Sequence, residues 1–228
     1  MKRSLQQIAL LVAKDLRIEA RGKQTVGLVI VLGVLIIVVL GMGLGTGGPG
    51  APMSGFKSTA ILWVAYLFGG VLCFEKTMAV ERQDDALAGL LVAPLDRGAL
   101  YIAKLLSNLT LMFVLALVVT PVAILLFRFD LSTHPWGFVI VMALGMTGFA
   151  AIGTLFAAAV SSTRLQGGLL ALLVFPLSLP VVHASTQMMR KMFEEGEALS
   201  GGGLATLLAF DLMFLALSWF VFELVLEP

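Results

Sequence analysis

Long apolar runs separated by short polar stretches dominate the chain. A helix needs about 20 mostly apolar residues to cross the hydrocarbon core of a bilayer. Six runs reach or approach that length, and they cover residues 25–44, 58–74, 105–127, 136–160, 167–185 and 204–226. The pattern predicts an all-α integral membrane protein with six transmembrane helices. No internal repeat is evident, which indicates one transmembrane domain over residues 1–228.

The N-terminal segment follows a different pattern. Leu5, Ile8, Val12 and Leu16 recur at three- and four-residue spacing, and charged residues occupy the other faces. This spacing is typical of an amphipathic helix that lies in the membrane surface. A frayed polar tail is the alternative, because the apolar stripe is short. No small-residue cleavage site follows, so we do not interpret the segment as a cleavable signal.

The connection between the last two spans also shows helical spacing. Met188, Met189, Met192 and Phe193 alternate with charged residues in a pattern that predicts a short helix at the membrane surface. We expect Gly201–Gly203 to end that helix.

Composition supports the membrane assignment. Hydrophobic residues make up 59% of the chain and charged residues 13%, whereas soluble domains contain about 25% charged residues. The net charge of +1 excludes a strongly basic nucleic-acid-binding protein. Cys73 is the single cysteine, which excludes an intrachain disulfide and a cysteine-based metal cluster.

Basic residues are distributed unevenly between the two sides. If the N-terminus is cytoplasmic, the cytoplasmic segments carry eleven of the 15 Lys and Arg residues, and the outer loops carry four. Cytoplasmic loops are enriched in Lys and Arg. The count therefore predicts a multi-pass membrane protein with both termini in the cytoplasm.

Residues 75–104 are polar where their surroundings are apolar. They hold nine of the chain's 15 basic and 14 acidic residues. Charge is tolerated in lipid only where it reaches water or protein, so this stretch emerges from the membrane. Its apolar face comprises Val80, Leu87, Leu90 and Leu91, and its charged face comprises Glu81, Arg82 and Asp85. Pro94 ends the predicted helix, whose mixed charges favour docking on a protein over attraction to lipid.

A phosphate-binding loop is missing from the sequence. The nearest match is Gly50, Gly55, Lys57 and Ser58, but Phe56 interrupts the spacing and no strand precedes it. We therefore expect no ATP site and no catalytic residues in this chain.

The two histidines do not predict a metal or haem site. His134 and His183 are both expected at the outer side, but their spacing does not indicate convergence. For His183, packing or hydrogen bonding is the alternative to a functional role on the periplasmic side.

Two further features of the spans allow alternative interpretations. Pro176 and Pro180 each remove a helix hydrogen bond, so we expect a kink or break that either shapes packing or permits gating. Asp211 is an acid within a span and hence a candidate functional residue on the periplasmic side. A structural pair with Arg190 or Lys191 is the interpretation we favour for it.

The polar loop resembles that of ABC-2-like exporter permeases. In FEKTMAVERQDDALAGLLVAPLDRGALYIAKLL, Glu-Arg is followed by a Leu-rich turn, then Pro, then a Lys that enters the next span. The chain as a whole resembles the narrower family of cytochrome c maturation permease subunits, called haem exporter protein B. The length, this loop and the double-proline segment GGLLALLVFPLSLPVVHAS carry that resemblance.

The resemblance implies a subunit of the bacterial inner membrane that pairs with a separate cytoplasmic ABC ATPase. ATP would bind to that ATPase and haem to partner subunits, namely a haem-handling membrane subunit and a periplasmic haem chaperone. ATP hydrolysis would drive release of the haem-loaded chaperone. We also expect a second copy of the chain, because six helices rarely enclose a path alone. The ATPase-coupling residues would be Glu81, Arg82, Asp84, Asp85, Leu87, Leu90, Leu91 and Pro94.

Three alternatives remain open at this point. An ABC-2-type exporter of a lipid, a drug or a polysaccharide would share the same architecture. A membrane enzyme or b-type cytochrome would need converging histidines or an intramembrane acid–base cluster. A passive assembly scaffold would not need ATP hydrolysis by its partner.

Overall fold

The computed structural model describes residues 2–22, 24–44, 53–82, 97–128, 131–160, 166–197, 199 and 201–225. Within these ranges the chain forms seven helices and no strand. They are α1 (Lys2–Gly22), α2 (Gln24–Leu44), α3 (Gly55–Arg82), α4 (Arg97–Phe127), α5 (Pro135–Val160), α6 (Gln166–Glu194) and α7 (Gly201–Val225).

Six of these helices, α2 to α7, are long and apolar enough to cross a membrane. This confirms the prediction of an all-α membrane protein with six spanning helices. The N-terminal segment forms α1, as its spacing predicts, whereas its position in the membrane surface stays a prediction. Residues 83–94 of the predicted coupling helix lie outside the described residues.

Helices α3 and α5 lie at the centre of the bundle. In each of them 67% of the most apolar 18-residue stretch is buried, whereas the buried share of the same stretch is 17% in α2 and 22% in α7. Helix α3 packs against α2, α4 and α6, while α5 packs against α6 and α7. The outer helices therefore present apolar side chains to the surroundings, as expected of a protein whose solvent is lipid.

Close contact between the two central helices requires a glycine. The rings of Phe74 in α3 and Phe149 in α5 lie 5.1 Å apart. A Cβ atom added to Gly153 would fall 2.0 Å from Cε2 of Phe74. The small-residue face of α5 thus serves packing within this chain, since only a residue without a side chain admits the Phe74 ring here.

Helix α6 differs from its prediction in two respects. It continues past Pro176 and Pro180 to Glu194, so the helix is not broken there, whereas a kink with a role in gating stays a prediction; the predicted short helix is the last part of α6. Both prolines lie on the exposed surface of α6, where their rings displace no neighbouring helix. The expected end at Gly201–Gly203 is also wrong, because α7 begins at Gly201. Gly196, with φ of 66°, follows α6 instead and turns the chain.

The bundle has two distinct ends. We call the end that contains α1, the last turn of α3 and the first turns of α4 the α1 end. The other is the opposite end, where α3 begins and α6 ends.

Candidate coupling site at the α1 end

Helices α3 and α4 border the segment that the sequence marks for coupling. Helix α3 ends at Arg82 and α4 begins at Arg97. Of the predicted coupling residues, Glu81 and Arg82 form the end of α3, and their side chains lie outside what the structure describes. The remaining ones, Asp84, Asp85, Leu87, Leu90, Leu91 and Pro94, lie outside the described residues. What the structure supplies is the architecture on both sides of this segment.

A buried ion pair joins α1 to α4 at this end. Lys104 Nζ donates a hydrogen bond to Asp15 Oδ2 over 2.9 Å, and the two side chains are 2% and 8% exposed. Lys14 Nζ lies 3.3 Å from the other oxygen of Asp15, and its side chain is 38% exposed. Lys104 is only two turns beyond the start of α4. The contact with α1 is therefore close to the end of α4 that follows the coupling segment.

Reasoning from the sequence missed this pair. We counted Lys104 as a loop charge, whereas α4 starts at Arg97 and carries Lys104 inside the bundle. The signal was present in ALYIAKLL, where a single Lys stands within a continuous apolar helix pattern. A buried charge requires a partner, and Asp15 is the acid on the α1 side that meets this requirement.

A small cavity lies beside the ion pair. Its volume is about 30 Å³, which is room enough for a water molecule. Its polar lining comes from Asp15 and Glu19 of α1, Lys76 and Thr77 of α3, and Ser107 of α4. Three helices therefore share one polar cavity at the α1 end.

Glu19 extends these contacts to α2. Its Oε1 atom accepts a hydrogen bond from the backbone N–H of Val26 over 2.9 Å. Val26 lies in the first turn of α2, where backbone N–H groups have no partner within the helix. Glu19 thus caps α2 and links its start to α1.

A chain of buried side-chain hydrogen bonds continues into the bundle. Thr77 Oγ1 in α3 donates to Asn108 Oδ1 in α4 over 2.7 Å. Asn108 Nδ2 donates to Thr154 Oγ1 in α5 over 2.9 Å. Asn108 and Thr154 are fully buried. Because each bond has a direction and a short optimal length, α3, α4 and α5 are held in one relative position near the α1 end.

The other predicted site residues lie away from this end. Pro176, Pro180 and His183 all lie on the exposed surface of α6. His134 is near the opposite end, where its ring is 6.4 Å from that of Phe193. Within the described ranges, no three His, Cys, Asp or Glu side chains are grouped so that they could hold a metal ion.

The expected ion pair of Asp211 is wrong. Arg190 binds Glu195 over 3.2 Å and Lys191 lies 3.7 Å from Glu197. Asp211 is 3% exposed, and neither of its carboxyl oxygens has a hydrogen-bond partner among the described residues. Arg190 and Lys191 each lie near an acid that follows them in sequence, while Arg190 Nε is buried without a hydrogen-bond partner among the described residues.

Known proteins resemble this chain along most of its length. Residues 6–227 match the CcmB protein family. The chain belongs to the CcmB family. It is 32% identical to heme exporter protein B of Paracoccus denitrificans over 182 residues, which cover 79% of this chain and 81% of the relative. Heme exporter protein B of Bradyrhizobium diazoefficiens is 27% identical over 178 residues, 77% of each chain.

A third CcmB relative is more distant. Heme exporter protein B of Rhodobacter capsulatus is 23% identical over 181 residues, which cover 79% of this chain and 81% of the relative. The three matches thus cover more than three quarters of this chain and of each relative. The resemblance inferred from the polar loop and the double-proline segment is confirmed.

Proposed function

We propose that this chain is the membrane subunit of an ABC-type complex in cytochrome c maturation. The match to the CcmB family over residues 6–227 carries this proposal. The relatives are named heme exporter protein B, and six spanning helices without a phosphate-binding loop suit a membrane subunit that takes its energy from another chain. A separate cytoplasmic ABC ATPase is therefore its first partner.

The α1 end is suited to receive motion from that ATPase. Residues 81–94 are the coupling segment in this proposal, and α4 begins shortly after them. A displacement of α4 would act on α1 through Lys104 and Asp15, and on α5 through Asn108 and Thr154. Short charged and hydrogen-bonded contacts resist sliding more than apolar contacts do, because their energy depends on distance and direction. The ATPase would thus move several helices as a unit.

Haem and ATP are assigned to the partners. The sequence has two histidines and no phosphate-binding loop, so in this proposal ATP binds to the ATPase and haem to a haem-handling membrane subunit. The rearranged bundle then drives release of the haem-loaded chaperone at the periplasmic side. A second copy of the chain completes the membrane part of the complex, which lies in the inner membrane with both termini in the cytoplasm.

One experiment tests the coupling segment. We expect Leu87→Asp/Leu91→Asp to abolish co-purification of the ATPase in mild detergent, because the substitutions remove the apolar anchors of the predicted helix. Ser132→Asp/Thr133→Asp is the matched control, since it adds the same charge in the connection before α5 at the opposite end. Equal ATPase recovery in both variants would show that the coupling segment is assigned wrongly.

A second experiment tests the pathway. The gene is introduced into a bacterium that lacks its own heme exporter protein B, and covalent c-type cytochromes are measured by haem staining. We expect cytochromes to be restored with the active partner ATPase and lost when that ATPase is inactivated. Restoration with an inactive ATPase would favour a passive scaffold, and no restoration at all would favour an exporter of another substrate.

A further inference from the structure

Asp211 lies near the middle of the membrane. It is the eleventh residue of α7, so it lies about 15 Å along the helix axis from Gly201. The hydrocarbon core is about 30 Å thick. Asp211 packs beside Gly148, which has 13 residues of α5 before it and 12 after it. Both helices therefore place this acid at half depth, where an ionised side chain is most costly.

The carboxyl group is tightly enclosed. Asp211 is 3% exposed. A Cβ atom added to Gly148 would fall 2.3 Å from Oδ1 of Asp211. A metal ion bound by oxygen ligands lies at least about 2.0 Å from each of several of them, and this contact leaves no space for one on that side. A proton is the one cation that needs no additional volume.

The helices packed against α7 are α4, α5 and α6, and none of them offers a partner charge at this depth. Helix α5 contains no ionisable residue between Pro135 and Val160. The ionisable residues of α4 are Arg97, Tyr101 and Lys104, all in its first turns at the α1 end. The ionisable residues of α6 are His183, Arg190, Lys191 and Glu194.

None of those four residues of α6 forms a hydrogen bond with the Asp211 carboxyl group. His183 is exposed on the outer surface of α6. Arg190 and Lys191 lie next to the acids that follow α6, and Glu194 accepts a hydrogen bond from the backbone N–H of Phe56. Asp211 therefore faces apolar helix surface and not a basic side chain.

Two buried hydroxyl groups lie on α6, which also packs against α5. Ser185 and Thr186 of α6 are 0% and 5% exposed, and neither hydroxyl oxygen has a hydrogen-bond partner among the described residues. Ser185 Oγ lies 2.7 Å from the position of a Cβ atom on Gly145, one turn of α5 from Gly148. Gly145 and Gly148 of α5 thus face Ser185 of α6 and Asp211 of α7 at successive turns.

We propose that Asp211 is a proton-binding site in the middle of the membrane. The residue holds its proton at neutral pH, and the neutral carboxylic acid fits against Gly148 without a counter-ion. Separation of α5 and α7 admits water to the carboxyl group, which then releases the proton to the side that opened. Packing of these two helices is in this way linked to proton binding. The inference does not depend on the proposed function.

Infrared difference spectroscopy on the full chain in lipid nanodiscs tests the proposal. At neutral pH, we expect the wild type to show the C=O stretch of a protonated carboxylic acid, and Asp211→Asn to lack it. Glu197→Gln is the control: the Glu197 side chain is 51% exposed and lies 3.7 Å from Lys191, so this variant should lose only carboxylate bands. An Asp211→Asn variant that lost only carboxylate bands would overturn the proposal.

A second variant keeps the test decisive if Asp211→Asn does not fold. Gly148→Ala places a methyl group against the carboxyl, so it should shift the frequency of the protonated-acid band while preserving the band. A wild-type spectrum without any protonated-acid band at neutral pH would overturn the proposal with no variant needed, and so would a band that Gly148→Ala leaves unmoved.

Discussion

The ion pair between Asp15 and Lys104 provides the sharpest test of how α1 is attached to the bundle. The perturbation is a double-mutant cycle made of Asp15→Leu, Lys104→Met and the variant with both substitutions. Each single substitution removes one charge and leaves the other in a site where the side chains are 2% and 8% exposed. The double substitution removes both charges and keeps an apolar contact of similar size.

The expected magnitudes follow from desolvation. Removing one partner of a buried ion pair costs about 3–5 kcal/mol, because the remaining charge stays buried without its counter-charge. Lys14 lies 3.3 Å from the Asp15 carboxylate and is partly exposed, so we place Lys104→Met near 3 kcal/mol, at the lower end of that range. Replacing both charges by apolar residues is often close to neutral. We therefore expect the double variant to be more stable than either single variant.

Lys14→Met serves as the matched control. Lys14 carries the same charge and approaches the same carboxylate, but its side chain is 38% exposed. Exposed pairs contribute about 0.2–1 kcal/mol, so this variant should unfold almost as the wild type does. The comparison separates the effect of burying the ammonium group on stability from the effect of its charge.

The assay is unfolding of the purified full chain from mild detergent into sodium dodecyl sulfate, monitored by fluorescence of its three tryptophans. The coupling energy is the difference between the double variant and the sum of the single variants. The reasoning is refuted if Lys104→Met costs no more than Lys14→Met. It is also refuted if the two single effects simply add.

Two further predictions concern contacts between the spans. Gly153→Ala should destabilise the chain by about 1–3 kcal/mol, since its Cβ atom would meet the buried ring of Phe74. Gly43→Ala is the control and should not destabilise the chain, because nothing lies within 4 Å of its Cβ position. Similar unfolding of both variants would contradict the packing argument. Tyr66→Phe should cost about 1–3 kcal/mol, because the Tyr66 hydroxyl lies 2.5 Å from Oγ1 of the buried Thr120. The same unfolding assay measures both, and a Tyr66→Phe variant as stable as the wild type would argue against that hydrogen bond.

Much of the fold could be predicted because the relevant information is local. A run of about 20 apolar residues forms a spanning helix whatever lies beside it, since lipid offers no other partner for the backbone. The six spanning helices and the family resemblance were therefore accessible from the sequence. The assignment of the coupling role to residues 81–94 rests on sequence alone, because the structure describes only the backbone at its first two positions.

Lys104 shows why the polar contacts were harder to predict. Its partner Asp15 is 89 residues away in sequence. The helical spacing within either segment does not indicate that the two segments come into contact. The end of a polar run and the first turns of a spanning helix also look alike when apolar and charged residues are mixed. Only the structure shows that α4 starts at Arg97, so that Lys104 belongs to the bundle and not to a loop.

Asp211 shows the same limit at the centre of the membrane. The sequence by itself determined that an acid lies within a span, and that the spans number six. It did not determine which neighbour the acid meets, because spanning helices are apolar on all sides and lack the stripe that fixes the rotation of a helix in a soluble protein. The tertiary structure decided that rotation: Asp211 contacts Gly148, and Arg190 forms an ion pair with Glu195. The depth and rotation of each helix in the bundle depend on packing between segments that are distant in sequence. They determine which polar residues come together in a site.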